Sequence, residues 1–193
     1  MDQLPESERF SLYRTGGDLN PYLRKLVYWM EKLYGEIAGR VNWLLGKAYG
    51  GISAVGNATA TAIAVAGTAV QITIFGTNSY SNNCTSDHTN DHITIERPGD
   101  YLINLTASVE LVAAASSTFE LFVKKNNGAT NVGALRGEFR LITGGVTTGQ
   151  VHISGIARLS KDDTIEAWIA NLNGTDNYVV HHANLNILQV GST

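Results

Sequence analysis

Tyr101-Leu102-Ile103-Asn104-Leu105-Thr106-Ala107-Ser108-Val109-Glu110-Leu111-Val112 decides the fold. Tyr101, Ile103, Leu105, Ala107 and Val109 share one parity, and Asn104, Thr106, Ser108 and Glu110 share the other. A period of two places apolar side chains on one face of a strand and polar ones on the opposite face. The run starts after Arg97-Pro98-Gly99-Asp100, a turn sequence in which proline fixes φ and glycine relaxes it.

Similar runs lie on either side. Upstream are Val70-Gln71-Ile72-Thr73-Ile74-Phe75, a polar loop over residues 76–91, and His92-Ile93-Thr94-Ile95-Glu96. Downstream are Phe119-Glu120-Leu121-Phe122-Val123, turned by Asn126-Asn127-Gly128, then Leu135 to Ile142. Gln150 to Leu159 alternates with Val151, Ile153, Ala157 and Leu159 inward. Lys161-Asp162-Asp163 turns into Thr164 to Leu172, and Tyr178 to His181 and Asn184 to Val190 finish the chain. About nine short strands with regular turn signals and no second helix predict a mainly β protein, an antiparallel jelly-roll sandwich.

The first 49 residues differ. They hold 13 of the 31 charged residues, five of the eight tyrosines and two of the three tryptophans. Asn20-Pro21 is a helix start, with asparagine as cap and proline in the first turn. Leu23, Leu26, Met30, Leu33, Ile37 and Leu44 then follow heptad spacing, broken at Arg40. About 25 residues at ~1.5 Å each make a rod of roughly 37 Å. The expected organisation is a tail and helix over 1–49, for attachment or trimerisation through a coiled coil. A linker or extended lead-in follows over 50–67, and a head over 68–193. A helix lying on its own domain is the alternative to a stalk. Tyr22, Tyr28, Trp29, Tyr34 and Trp43 fall largely off the seam, and exposed aromatics suit contact with another surface.

Composition excludes several classes. A net charge of −3 gives no basic footprint for nucleic acid. One cysteine, Cys84, permits no intrachain disulfide. No run approaches the ~20 apolar residues of a membrane span. The N-terminus has no basic and apolar signal pattern, so secretion is not expected. The sequons at Asn57, Asn83, Asn104 and Asn173 then reflect an Asn- and Thr-rich composition.

Candidate chemistry is sparse. His88 and His92 each follow an aspartate in a polar loop, and His152, His181 and His182 are the other imidazoles. Three copies of one histidine could surround a metal or anion at a three-fold axis. Ordinary exposed histidines are the alternative. Neighbours on a regular strand, His181 and His182 are expected on opposite faces. Asp162-Asp163 reads as a turn rather than a catalytic pair. A calcium site within 87–91 or 162–176 would need clustered oxygens, and the spacing gives it no specific support. No catalytic, cofactor-binding or metal-binding residue is expected, and no cofactor. Phe122 and Trp168 lie on the outward parity of their strands, which suits subunit contact. With the helix seam they make the expected oligomer interface.

Pro98-Gly99-Asp100-Tyr101-Leu102-Ile103, Leu159-Ser160-Lys161-Asp162-Asp163-Thr164-Ile165-Glu166-Ala167 and the terminal Ala183-Asn184-Leu185-Asn186-Ile187 resemble the jelly roll of tumour necrosis factor and complement globular heads. That family reads Gly-x-Tyr at its long second strand and Leu-x-x-Gly-Asp before a late strand. Asp162 stands where glycine is usual. The resemblance covers roughly residues 68–191. It implies a compact homotrimer that binds partners through loops and outer faces and is not an enzyme. Similar heads occur on bacteriophage capsid decoration or head-fibre proteins. Collagen-like Gly-x-y repeats, common before complement-type heads, are missing. The expected role is therefore a trimeric virion structural protein, made in the host cytoplasm and bound to the phage capsid or other virion proteins. The alternative is a receptor- or carbohydrate-binding tip of a tail or adhesive fibre, with loops 76–91 and 126–133 meeting a host surface receptor. An enzyme such as a depolymerase is disfavoured, because no acid/base or nucleophilic constellation is legible.

Overall fold

The structure, a computed structural model, describes residues 21–112, 116–142 and 147–191. The expected N-terminal tail lies outside the described residues up to residue 20. The chain divides between Lys47 and Ala48 into two units.

The first unit holds α1 (Pro21–Leu45), which opens on the expected proline. Leu23, Leu26, Met30, Leu33 and Ile37 are 48%, 54%, 51%, 58% and 52% exposed. Leu44 lies in the helix, but its side chain is outside the described residues. Off the seam, Tyr28 and Trp29 meet edge to face at 6.3 Å. Lys32 Nζ lies 5.4 Å from the Trp29 ring. No described side chain of α1 is buried.

The second unit is a sandwich of two six-stranded antiparallel sheets. Its strands are β1 (Tyr49–Val55), β2 (Ala60–Thr61), β3 (Val70–Gln71), β4 (Thr77–Asn78), β5 (Cys84–Asp87), β6 (His92–Ile95), β7 (Gly99–Val112), β8 (Ser117–Lys125), β9 (Thr130–Leu141), β10 (Thr148–Leu159), β11 (Thr164–Asn171) and β12 (Asn177–Gly191). One sheet runs β10-β7-β12-β1-β4 with β2 also on β12, and the other runs β5-β6-β11-β8-β9 with β3 on β11. Neighbours distant in sequence, such as β1 beside β12, give the jelly-roll crossovers.

The parity of the long strand sets the core. Tyr101, Ile103, Leu105, Ala107 and Val109 are all within 1% of full burial. They meet Phe119, Leu121, Val123, Ile165, Ala167 and Ile169 of the facing sheet in one cluster. Phe119 stacks on Phe139 at 5.7 Å and meets Tyr178 edge-on at 5.6 Å. Each fully buried large side chain here contributes about 1.5–3 kcal/mol.

The structure refines three expectations. The segment over 50–67, expected as a linker or extended lead-in, opens in the extended form as β1, paired with β12 from Tyr49↔Leu188 to Val55↔His182. Its small residues fit a narrow slot: a Cβ on Gly51 would lie 2.1 Å from Asn186 Oδ1. The polar loop over 76–91 also carries strands, β4 and β5, the latter paired with β6. Likewise the two final runs form one strand, β12, with a register shift between Val180 and His182.

The Asp162-Asp163 turn is structural, as expected. Asp163 accepts hydrogen bonds from Ser160 N at 2.9 Å, Asn126 Nδ2 at 2.9 Å and Lys125 Nζ at 3.0 Å. Burial pushes its carboxyl up, but these donors outweigh it and hold the group below the usual carboxylate range. A depressed value means that the bound proton opposes the fold. The stabilisation is therefore present above pH ~4 and lost as pH falls through the lowered value. Between pH 5 and 2, wild type is expected to lose more melting temperature than Asp163→Asn. Equal losses in thermal scans would refute the contribution.

Candidate functional site

The outer face of the β10-β7-β12-β1 sheet is built in rows, because antiparallel register aligns outward residues across strands. Ile156 opposes Leu102, Leu102 opposes Leu188, and Leu188 opposes Tyr49. Four large apolar side chains therefore cross four strands on an outward face. Ile156 is 67% exposed, Tyr49 43% and Leu188 40%. The next rows are polar: Ser154-Asn104-Asn186-Gly51, then His152-Thr106-Asn184-Ser53. Ser154 Oγ donates to Asn104 Oδ1 at 2.7 Å, and Asn186 Nδ2 to Asn184 Oδ1 at 2.7 Å. Small side chains, among them Ser53, Thr106 and Ser108, leave a shallow trough of about 300 Å³.

The outer face of the other sheet carries Phe122 and Trp168, which oppose one another across β8 and β11. Both point outward, as their parity requires. Their cover comes from the same chain. Lys124 Nζ lies 5.6 Å from the Phe122 ring and 4.8 Å from that of Trp168. Arg136 Cζ lies 5.4 Å from the Phe122 ring centre. Arg136 also pairs with Glu120, which is 5% exposed. Phe122 keeps 9% of its surface, and Trp168 is partly buried within the single chain.

Beneath this ladder lies Glu166, fully buried. Its Oε1 accepts from Asn127 N at 2.8 Å and Thr164 Oγ1 at 2.7 Å. Its Oε2 accepts from Gly128 N at 2.9 Å and Trp168 Nε1 at 3.0 Å. Four donors satisfy a carboxylate that would otherwise be costly to bury. They also pin the Asn126-Asn127-Gly128 turn, all three residues at positive φ. Gly128 is required twice over: its φ is +75°, and a Cβ would lie 2.5 Å from the Trp168 ring.

The titratable residues are mostly occupied locally. Asp87 accepts from Thr89 N, Asn90 N and Asn90 Nδ2. Asp91 Oδ1 accepts from Phe75 N at 3.1 Å. His92 Nδ1 lies 3.2 Å from Asn90 O, and His152 Nδ1 lies 3.0 Å from Thr106 Oγ1. Cys84 is buried, and desolvation pushes its thiol up to about 11, which suppresses the reactive thiolate. Among the described residues, no three His, Cys, Asp or Glu side chains gather as a metal site. No helix among them is long and apolar enough to cross a membrane.

His181 and His182 depart from expectation. The register passes from Val180↔Val109 to His182↔Ser108, so His181 is an inserted residue. A bulge cancels the alternation at that point. Ala183 beyond it is buried and His182 is exposed, so neither histidine enters the core.

A comparison with protein-family models finds no match, and neither does a comparison with curated proteins. Solved structures are similar. Eiger TNF from S. frugiperda matches over 76% of this chain and 93% of that one, at 10% identity and a TM-score of 0.53. Murine APRIL at pH 8.0 matches over 75% and 99%, at 15% identity and a TM-score of 0.47. The head is a tumour-necrosis-factor-like jelly roll. At such identities the likeness is one of fold. Asp162, which stands where the resembling pattern has glycine, has φ +69°, a region that favours glycine and that aspartate tolerates better than most residues.

Sequence reasoning missed the outward row of this TNF-like head. Its signal was present as Leu102, Ile156 and Leu188, three large apolar residues on otherwise polar parities. Tyr49 could not join them while its strand read as the end of a helical segment.

Proposed function

We propose that this chain is a non-enzymatic homotrimeric structural protein of a virion, a bacteriophage capsid decoration or head-fibre protein. The observation that carries self-association is the apolar row Ile156-Leu102-Leu188-Tyr49, open on the outer face of a sheet. The described seam residues of α1, about half exposed, offer a second apolar surface. Contiguous apolar area on outer faces favours burial against another copy. A TNF-like head makes three the expected number. The virion setting is supported by a helical N-terminal segment before a small Ala-, Gly- and Thr-rich β head. Most of the described side chains that could do chemistry are held in turns and structural hydrogen bonds.

Sedimentation equilibrium of the full chain tests the assembly. Three chains of 20.8 kDa give about 62 kDa, and a mass of 20.8 kDa at micromolar concentration would refute the trimer. The setting is tested separately by binding to empty capsids and by copy number in purified particles. Hundreds of copies are expected, whereas a handful would indicate a tail fibre. The second reading, a receptor- or carbohydrate-binding tip, is favoured by Tyr80, which is 94% exposed in the 76–91 segment. Binding to host cells without binding to capsids would select it.

A further inference from the structure

The chain holds two Asn-Gly pairs, Asn127-Gly128 and Asn173-Gly174. Such a pair can modify itself. The backbone nitrogen of glycine attacks the asparagine Cγ, with no side chain on the glycine to hinder it. A five-membered imide forms and ammonia leaves. Water then opens the ring to aspartate or isoaspartate, and asparagine is thermolabile for this reason. Both asparagines are exposed, yet the fold treats the two glycine nitrogens differently.

Gly128 N is occupied. It donates to Glu166 Oε2 at 2.9 Å, and Asn127 N donates to Oε1 of the same buried carboxylate at 2.8 Å. Asn127 and Gly128 have φ +57° and +75°, so the pair is fixed in its left-handed turn. The Trp168 ring closes against it, 2.5 Å from where a Cβ on Gly128 would lie. Gly174 N is open. Among the described residues it donates to no acceptor. A Cβ on Gly174 would meet nothing nearer than 3.5 Å, at Asn171 Nδ2 and Asp176 Oδ2, so the segment has room to turn. The Asn173 side chain is also poised, because Thr118 N donates to its Oδ1 at 2.7 Å. This oxygen gains negative charge when a nitrogen attacks Cγ, and a backbone N–H already aimed at it stabilises that charge.

We propose that Asn173-Gly174 is a self-modification site, at which Asn173 converts to aspartate and isoaspartate, while Glu166 protects Asn127-Gly128 from the same reaction. The bond that forms joins Gly174 N to Asn173 Cγ, and the bond that breaks is Cγ–Nδ2. The proton of Gly174 N leaves with Nδ2 as ammonia. Water then adds across one imide C–N bond. The sum is asparagine plus water to acid plus ammonia, with no oxidant or cofactor. Each conversion moves the net charge of a chain from −3 to −4. The new charge falls in the connection between β11 and β12, three residues before Asp176. Isoaspartate also adds a carbon to the main chain, next to the bond that Leu172 N donates to Thr118 O at 2.7 Å.

The test uses the full chain and does not depend on its assembly. Peptide mapping by mass spectrometry reads each pair separately. In mildly alkaline buffer at physiological temperature, Asn173 of the folded protein is expected to convert about ten-fold faster than Asn127, because Gly128 must first give up a charge-assisted hydrogen bond. In denaturant both pairs lose their surroundings, and the two rates are expected to draw level. Glu166→Ala frees Gly128 N and is expected to raise the Asn127 rate toward that of Asn173. An Asn173 that stays intact in the folded chain, equal rates there, or a ratio unchanged by denaturant overturns the proposal. The wild-type ratio decides it even where the variant folds poorly.

Discussion

Glu166→Ala is expected to lower the melting temperature of the head by about 10 °C. The carboxylate is fully buried and accepts four hydrogen bonds. Removing it strands two turn amides, a hydroxyl and an indole N–H. Each buried unpaired donor costs about 1–3 kcal/mol, and relaxation of the turn toward water recovers part. A net loss of about 3–5 kcal/mol corresponds to roughly 10 °C at 2–4 °C per kcal/mol for a chain of this size. Glu166→Gln keeps a single acceptor oxygen and sets an amide against the remaining donors, so it is expected to fall between. Thermal unfolding followed by the β-sheet circular dichroism signal measures both. A shift under about 3 °C for the alanine variant would show that the network does not hold the turn.

The same network marks the limit of what was legible. The outward parity of Phe122, Glu166 and Trp168 followed from alternation alone. Their cover did not, because Lys124, Arg136 and Gly128 reach them through cross-strand register and a turn conformation. Local pattern carries direction, and register carries neighbours. β1 was hidden for a related reason. Gly50, Gly51, Ile52 and Ala54 are all buried, so the strand has no alternation to read, and its small residues resemble a flexible linker. At His181 a single inserted residue reversed the expected facing. By contrast the long strand, the Asp162-Asp163 turn and the start of α1 each rested on a local physical requirement, and each stands as expected.

Leu188→Glu is expected to convert an assembly of about 62 kDa, three chains of 20.8 kDa, into single chains. Leu188 stands between Leu102 and Tyr49 in the outward row and is 40% exposed in the single chain. A carboxylate there can reach water, so the substitution costs the isolated head little. In a three-fold assembly it removes three buried leucines, about 1.5–3 kcal/mol each, and brings three like charges together out of water. Together these effects weaken association by at least four orders of magnitude. The unchanged β-sheet circular dichroism spectrum is the control for folding. Met30→Glu, on the half-exposed seam of α1, makes the matching test of the helix. Loss of mass in both variants would mean that helix and head associate together. Loss in Met30→Glu alone would move the interface to the helix and leave the sheet face free for a different partner. If Leu188→Glu kept the wild-type mass, the apolar row would not lie in the subunit interface.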